Sequence, residues 1–404
     1  MIKRERYMER IRPFIGNELI KVLTGLRRSG KSVMLQLIQD EILRMGASRE
    51  QFVSIDFEQM DNAGLCTAEA LHEELKRRIS GIRGKAYLFL DEIQEVERWE
   101  KCVNSCRVDF DCDIYITGSN AKLLSGELAT YLAGRYVEFV VYPFSFEEFL
   151  EMSRQRNPGL GAVEAFRSYI QLGGMPFLTH LIENGEACAQ YLRELYNSVI
   201  LKDVVSRVRI RDVDLLERIV AYIFANVGRP FSAYAISKYL KNEKRAAAHD
   251  TVLNYVRACT DAFLFNRISC ADLIGKKILS VNEKYYVADH GIREAVYGQN
   301  MRDLDQVLEN IVCTEMLRRG YSVNVGRNGA KEIDFVASRR SDKLYVQVAY
   351  LLAGRETVER EFGAYKGIPD NFPKYVVSSD EFDMGRDGIK HFNIRDFLLM
   401  KEWD

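Results

Sequence analysis

The chain has 404 residues, which suggests two to four domains, and its 47% apolar and 28% charged residues are ordinary for a protein with a packed core. Only 7 prolines and 27 glycines are present, which excludes collagen-like and long disordered segments. A formal net charge of −1 excludes a uniformly basic coat for nucleic acid and leaves local basic patches.

In chain order, residues 1–12 are polar and charged, unlike a secretory leader, and no uncharged apolar run of about 18 residues follows to cross a membrane. The eight cysteines contain no C-x-x-C pair and the five histidines do not cluster with them, so reduced thiols in a cytoplasmic protein are expected. Residues 19–24 (LIKVLT) predict a short strand, and Val33–Met45 carries apolar residues at helical spacing. Between them stands Gly25-Leu26-Arg27-Arg28-Ser29-Gly30-Lys31-Ser32, a G-x-x-x-x-G-K-S loop in the strand-then-helix setting that gives it meaning. Gly25 and Gly30 let the backbone curl so that N–H groups point at a phosphate, and the helix start at Val33 adds partial positive charge. Lys31 is placed to reach the β- and γ-phosphates, and the Ser32 hydroxyl to hold Mg2+.

Ala86–Leu90 (AYLFL) is a continuous apolar run, as a strand buried on both faces requires, and it ends in Asp91-Glu92. Carboxylates at such a strand end sit where open α/β sheets bind ligands, so Asp91 is expected on Mg2+ and Glu92 as general base toward water. A third strand, Asp113–Thr117, runs into Gly118-Ser119-Asn120. Ser119 or Asn120 is a candidate to hold the attacking water or sense the γ-phosphate, and either also suits a helix cap. Arg135 precedes a fourth strand, Tyr136–Tyr142, and is a candidate arginine finger in its own or a neighbouring chain; Arg27 and Arg28 are a further candidate pair.

The segments GLRRSGKS, YLFLDEIQ, ITGSNA, LAGRY and YPFSFEEF, in this order, resemble the AAA+-type P-loop ATPases of a bacterial and archaeal group with a winged-helix middle and a C-terminal nuclease-like domain. The resemblance spans essentially the whole chain. It implies a central parallel sheet with one strand between the P-loop strand and the acidic strand.

Past the Gly173-Gly174-Met175-Pro176 turn, Glu186–Val205 predicts a helix, followed by a basic stretch over Lys202–Arg211. Leu215–Val227, Ser232–Leu240 and Asp250–Leu264 predict three helices, with strands Phe265–Ser269 and Lys277–Val281 behind them, which makes a winged helix-turn-helix. Lys238, Lys241, Lys244 and Arg245 around the link are the candidate contacts for double-stranded DNA.

Leu304–Arg319 predicts a helix carrying Glu309, and a hairpin places Asp334 on one strand and Gln347 on the next. This resembles the PD-(D/E)xK nuclease constellation, in which an acidic pair binds Mg2+ and a lysine two residues past the second acid steers water. Carried over, Asp334 matches the first acid, Gln347 the second and Ala349 the lysine. Two of the three functions are therefore missing, and no cleavage is expected unless Lys331 or Lys343 migrates into place. The expected organisation is an α/β ATPase domain over 1–150, a helical and winged-helix part over 151–299 and a degenerate nuclease-like domain over 300–404. The expected activity is Mg2+-dependent hydrolysis of ATP, coupled to rearrangement on DNA or a protein, in a possible homo-oligomer. A slow ATP-dependent switch and an ATP-regulated nuclease are the alternatives, and no motif separates ATP from GTP.

Overall fold

The computed structural model describes residues 2–124, 132–242, 247–273, 277–298 and 303–403. They form two compact units, Met1–Val141 with Asp261–Phe263, and Tyr142–Thr260 with Leu264–Asp404. No helix among the described residues is long and apolar enough to cross a membrane.

The first unit is a five-stranded parallel sheet of β1 (Ile20–Thr24), β2 (Phe52–Asp56), β3 (Ala86–Asp91), β4 (Cys112–Gly118) and β5 (Tyr136–Val140), in the order β2-β3-β4-β1-β5. The strand expected between the P-loop strand and the acidic strand is β4. Every residue of β1 and β4 is buried, which explains why they read as near-continuous apolar runs. Alternation sends side chains to opposite faces. Val22, Leu88, Leu90, Ile114 and Ile116 pack under α3 (Ala68–Ile79) and α4 (Trp99–Asp109) with Leu71, Leu75, Trp99 and Val103. Leu23, Phe89 and Tyr115 pack under α1 (Glu5–Ile11) and α2 (Lys31–Arg44) with Tyr7, Ile11, Met34 and Ile38. Inside this sheet the ion pair of Lys21 with Asp113 is fully buried; Asp113 also accepts from Gly16 N and the Tyr115 hydroxyl, each at 2.7 Å. Such a pair survives burial only when its remaining valences are filled in this way.

The second unit begins with α5 (Phe146–Arg154), whose cap Ser145 and third residue Glu148 bond each other's backbone N–H groups. There follow α6 (Ala162–Leu172) and α7 (Gly185–Ser198). The long helix expected to Val205 changes character at Val199, where Val199–Ser206 winds as a π-helix around the buried Asp203. Helices α8 (Val213–Ala225), α9 (Ala233–Asn242) and α10 (His249–Asp261) then precede β6 (Phe265–Asp272) and β7 (Lys277–Val287). Next come α11 (His290–Tyr297) and α12 (Leu304–Arg318), then β8 (Ser322–Asn328), β9 (Lys331–Arg339) and β10 (Asp342–Val348). The unit closes with α13 (Arg355–Gly363), β11 (Lys374–Ser378), β12 (Lys390–Asn393) and α14 (Ile394–Leu399).

All seven strands of this unit share one sheet, in the order β12-β11-β10-β9-β8-β6-β7. The two strands read as a wing are thus hydrogen-bonded into the sheet that carries Asp334 and Gln347, through the parallel pair β6–β8.

Candidate functional site

The loop after β1 is built around a close backbone approach. Gly25 has φ +138°, and a Cβ there would stand 2.3 Å from the Val141 carbonyl oxygen. Gly30, at φ +102°, caps α2, and the helix begins at Lys31 rather than at Val33. Lys31 therefore lies in the first turn, where unpaired N–H groups and its own ammonium face the same space. Its side chain is buried; Nζ donates to the Gly25 and Leu26 carbonyls at 3.3 and 3.4 Å and sits 3.5 Å from Glu92 Oε1. Ser29 is wholly buried, and its hydroxyl has no hydrogen-bond partner among the described residues. The Ser29 carbonyl accepts from Arg4 Nη1 at 3.0 Å, and the buried Arg4 guanidinium lies 4.6 Å from the Tyr7 ring centroid. Leu26 points into the core, Arg27 pairs with Glu58 at 3.0 Å, and Arg28 and Val33 are exposed.

The strand ends close the other side. Asp91 ends β3 beside Asp56, which ends β2 in register with it. The Thr117 hydroxyl of β4 donates to Asp91 and accepts the Glu92 N–H at 2.8 Å, so one side chain sets the positions of both acids. Glu92 is left-handed (φ +54°), which turns its carboxylate toward Lys31; its other oxygen accepts from the Gln94 amide. Burial raises the Asp91 pKa, against the hydrogen bonds from Ser32 and Thr117 that favour its charged form, and the charges of Glu92 and Asp56 push it up further. Ser119 and Asn120 are buried at the tip of β4.

An ammonium held only by two neutral carbonyls and one carboxylate is a donor that an anionic ligand can take over. Ser32 and Asp91 are hard oxygen donors within hydrogen-bond reach of each other. Among the described residues no group of three or more His, Cys, Asp or Glu is arranged to hold a metal. Magnesium suits this arrangement because it takes one or two protein oxygens and completes its shell from phosphate and water.

Arg135 requires a correction. It stands at the start of β5, its carbonyl bonded to Ile20 N at 2.9 Å, whereas the loop follows the far end of β1. The strands run parallel, so a residue preceding β5 lies at the opposite rim of the sheet from the phosphate loop. There it is exposed and donates to Asn104 at 2.9 Å, out of reach of this chain's own site. Thr117, Asp56 and Arg4 were not singled out from the sequence. A lone hydroxyl in the buried strand DIYIT is the signal that points to Thr117; Arg4 carries no local signal, because its partner is 25 residues away.

In the second unit Lys238 and Lys241 are exposed on α9, four and seven residues past the exposed Tyr234, which puts all three on one helical face. Lys244 and Arg245 lie outside the described residues. The hairpin pattern does bring Asp334 and Gln347 side by side: Gln347 Oε1 accepts from Asp334 N at 2.6 Å, and Asp334 Oδ2 accepts from Val348 N at 2.8 Å. Neither Lys331 nor Lys343, the two that could have taken the place of the missing lysine, does so. Lys331 donates to the Gly363 carbonyl at 2.7 Å and Lys343 pairs with Asp370 at 3.2 Å. Glu309 on α12 instead meets the Tyr286 hydroxyl at 2.6 Å and Lys284 at 3.4 Å, and Glu361 on α13 takes the Gln347 amide at 2.7 Å.

Comparison with known proteins adds the following. Residues 17–150 match the family described as an AAA domain, and residues 163–303 match a domain of unknown function, DUF8612. An uncharacterized protein of Haemophilus influenzae is 35% identical over 400 residues, 99% of either chain. An uncharacterized protein of Methanocaldococcus jannaschii is 32% identical over 370 residues, 87% of this chain and 79% of that one. Among solved structures, the Aeropyrum pernix ORC2 protein in ADPNP–ADP complexes aligns with a TM-score of 0.37 at 10% identity, over 78% of this chain and 93% of that one.

Proposed function

The chain belongs to the family of these Haemophilus influenzae and Methanocaldococcus jannaschii proteins and carries an AAA domain, and we propose that this domain binds ATP with Mg2+ and hydrolyses it. One observation supports the reading: Lys31, in the first turn of α2, meets Glu92, and Thr117 ties Glu92 to Asp91 at the strand ends beside it. Ser32 and Asp91 are the residues to hold Mg2+, which when bound neutralises charge on the phosphates.

A seated phosphate draws Lys31 away from Glu92, because a phosphate oxygen is a stronger acceptor than the Gly25 and Leu26 carbonyls. Glu92, released, takes a proton from water attacking the γ-phosphorus as its bond to the β–γ bridging oxygen breaks and ADP leaves, while Lys31 and the loop N–H groups hold the charge that develops. Ser119 and Asn120 are the candidates to position that water. Lys31→Ala is expected to abolish binding of a fluorescent ATP analogue. Glu92→Gln is expected to keep binding and lose turnover by about 10²–10⁴-fold. Unchanged binding in the first variant overturns the site; unchanged turnover in the second leaves a nucleotide-dependent switch.

The exposed Tyr234, Lys238 and Lys241 support double-stranded DNA as the partner to which hydrolysis is coupled. Stimulation of turnover by duplex DNA should then fall steeply as salt rises, and Lys238→Ala should flatten the slope by about one. A salt-independent stimulation rejects DNA and favours a protein partner. A homo-oligomer would give Arg135 a site in the neighbouring chain, and a monomer in the presence of ATP and DNA removes that role.

A further inference from the structure

A hairpin of the kind that carries Asp334 and Gln347 implies a divalent cation between its acids, and the residues here do not fit one. Both ends of the Gln347 amide are spent, on Asp334 N at 2.6 Å and on Glu361 Oε2 at 2.7 Å. The other Glu361 oxygen is held by Arg360 at 2.6 Å. Asp334 accepts from Val348 N, and Glu309 from Tyr286 and Lys284. Gly228 walls the cluster: a Cβ there would stand 3.0 Å from Glu309 Oε1.

We propose that the Lys284 ammonium is the resident cation of this cluster, standing in place of a divalent metal, and that the sheet therefore supports no metal-dependent phosphodiester cleavage. Lys284 comes from β7, opposite Ile268 of β6, on the part of that strand beyond the expected Lys277–Val281. It is 3% exposed, and Nζ lies 2.8 Å from Glu332 Oε1 and 3.4 Å from Glu309 Oε1. A lysine that orients water on a phosphodiester must meet substrate; this one is buried and ion-paired to Glu309 and Glu332. Burial opposes its charge, but Glu309, Asp334 and Glu332 outweigh burial and hold the ammonium above the usual lysine range. Burial lifts the carboxyls of Glu309 and Asp334 in turn, against the pull of the Lys284 charge, which favours their charged forms.

The test uses the full-length, nucleotide-free protein with Mn2+ as a paramagnetic probe. Wild type is expected to bind no Mn2+ that Asp334→Asn removes, and its melting temperature should not respond to millimolar Mn2+. Lys284→Met should melt lower by about 5 °C or more, and Mn2+ should restore part of that loss unless Asp334→Asn is added. Lys284→Arg, which keeps the charge, should melt closer to wild type and remain blind to Mn2+, which keeps the idea testable if the Met variant does not fold. Mn2+ binding or Mg2+-dependent plasmid cleavage by wild type that Asp334→Asn abolishes overturns the proposal. So does a Lys284→Met protein that melts like wild type.

Discussion

The two polar clusters at the strand ends of this chain are built from similar residue types and end in opposite states. At the loop after β1 Lys31 is held by two neutral carbonyls and one carboxylate, a donor capacity that a ligand can take over. Around Asp334 that capacity is consumed internally: Gln347, Glu361, Glu309 and Lys284 satisfy one another. Unspent hydrogen-bonding capacity in a buried place costs about 1–3 kcal/mol per group, and a fold retains it where something else fills it.

Three measurements would break or sharpen that contrast. The largest effect is expected at Thr117, whose hydroxyl serves both Asp91 and Glu92. Thr117→Val should lower kcat by about 10-fold or more while ATP affinity changes little, since geometry of the acids rather than the cradle is lost. A fall confined to affinity would show that Thr117 belongs to the cradle. Next is Gln347→Glu, which restores the acidic pattern of a metal-binding hairpin. Because its second oxygen would face Glu361 Oε2 across 2.7 Å, the variant should be less stable by about 2 kcal/mol in denaturant titration, with no cleavage gained. A variant as stable as wild type that binds Mn2+ would mean the cluster opens readily. The smallest effect concerns thiols. Cys66 alone among the eight is more than marginally accessible, whereas Cys313 is buried, its thiol pushed well up by burial and by Glu309 beside it. One thiol should react quickly with a maleimide in the native protein, and Cys313 should stay unlabelled with or without Mg2+. Rapid labelling of Cys313 would contradict a sealed cluster.

The sequence was most readable where chemistry is local. The G-x-x-x-x-G-K-S loop, the strand before it and the run ending in Asp91-Glu92 place their residues by short-range rules, and the fold puts them together. Legibility failed where partners come from afar. Arg135 looked adjacent to function because it precedes a strand, but strand direction, which spacing does not reveal, carries it to the far rim. Lys284 lay three residues past the expected strand Lys277–Val281, with no local sign that it meets Glu309 and Glu332. Lys21 sits in an apolar strand with no sign that Asp113, far along the chain, neutralises it. The π-helix at Val199 has the same apolar spacing as the helix it continues, so periodicity read one helix through Val205.

The shared seven-stranded sheet has a practical consequence for anyone dividing this chain into pieces. Cutting near residue 300 would strip β6 of its neighbour β8 over Ser269–Asp272 and leave bare backbone donors and acceptors along a newly made rim. Such a rim recruits other chains, so both fragments should precipitate or associate. A cut at Val141 severs none of the strand pairs in either sheet, and that is where a protease or a pair of primers should be aimed.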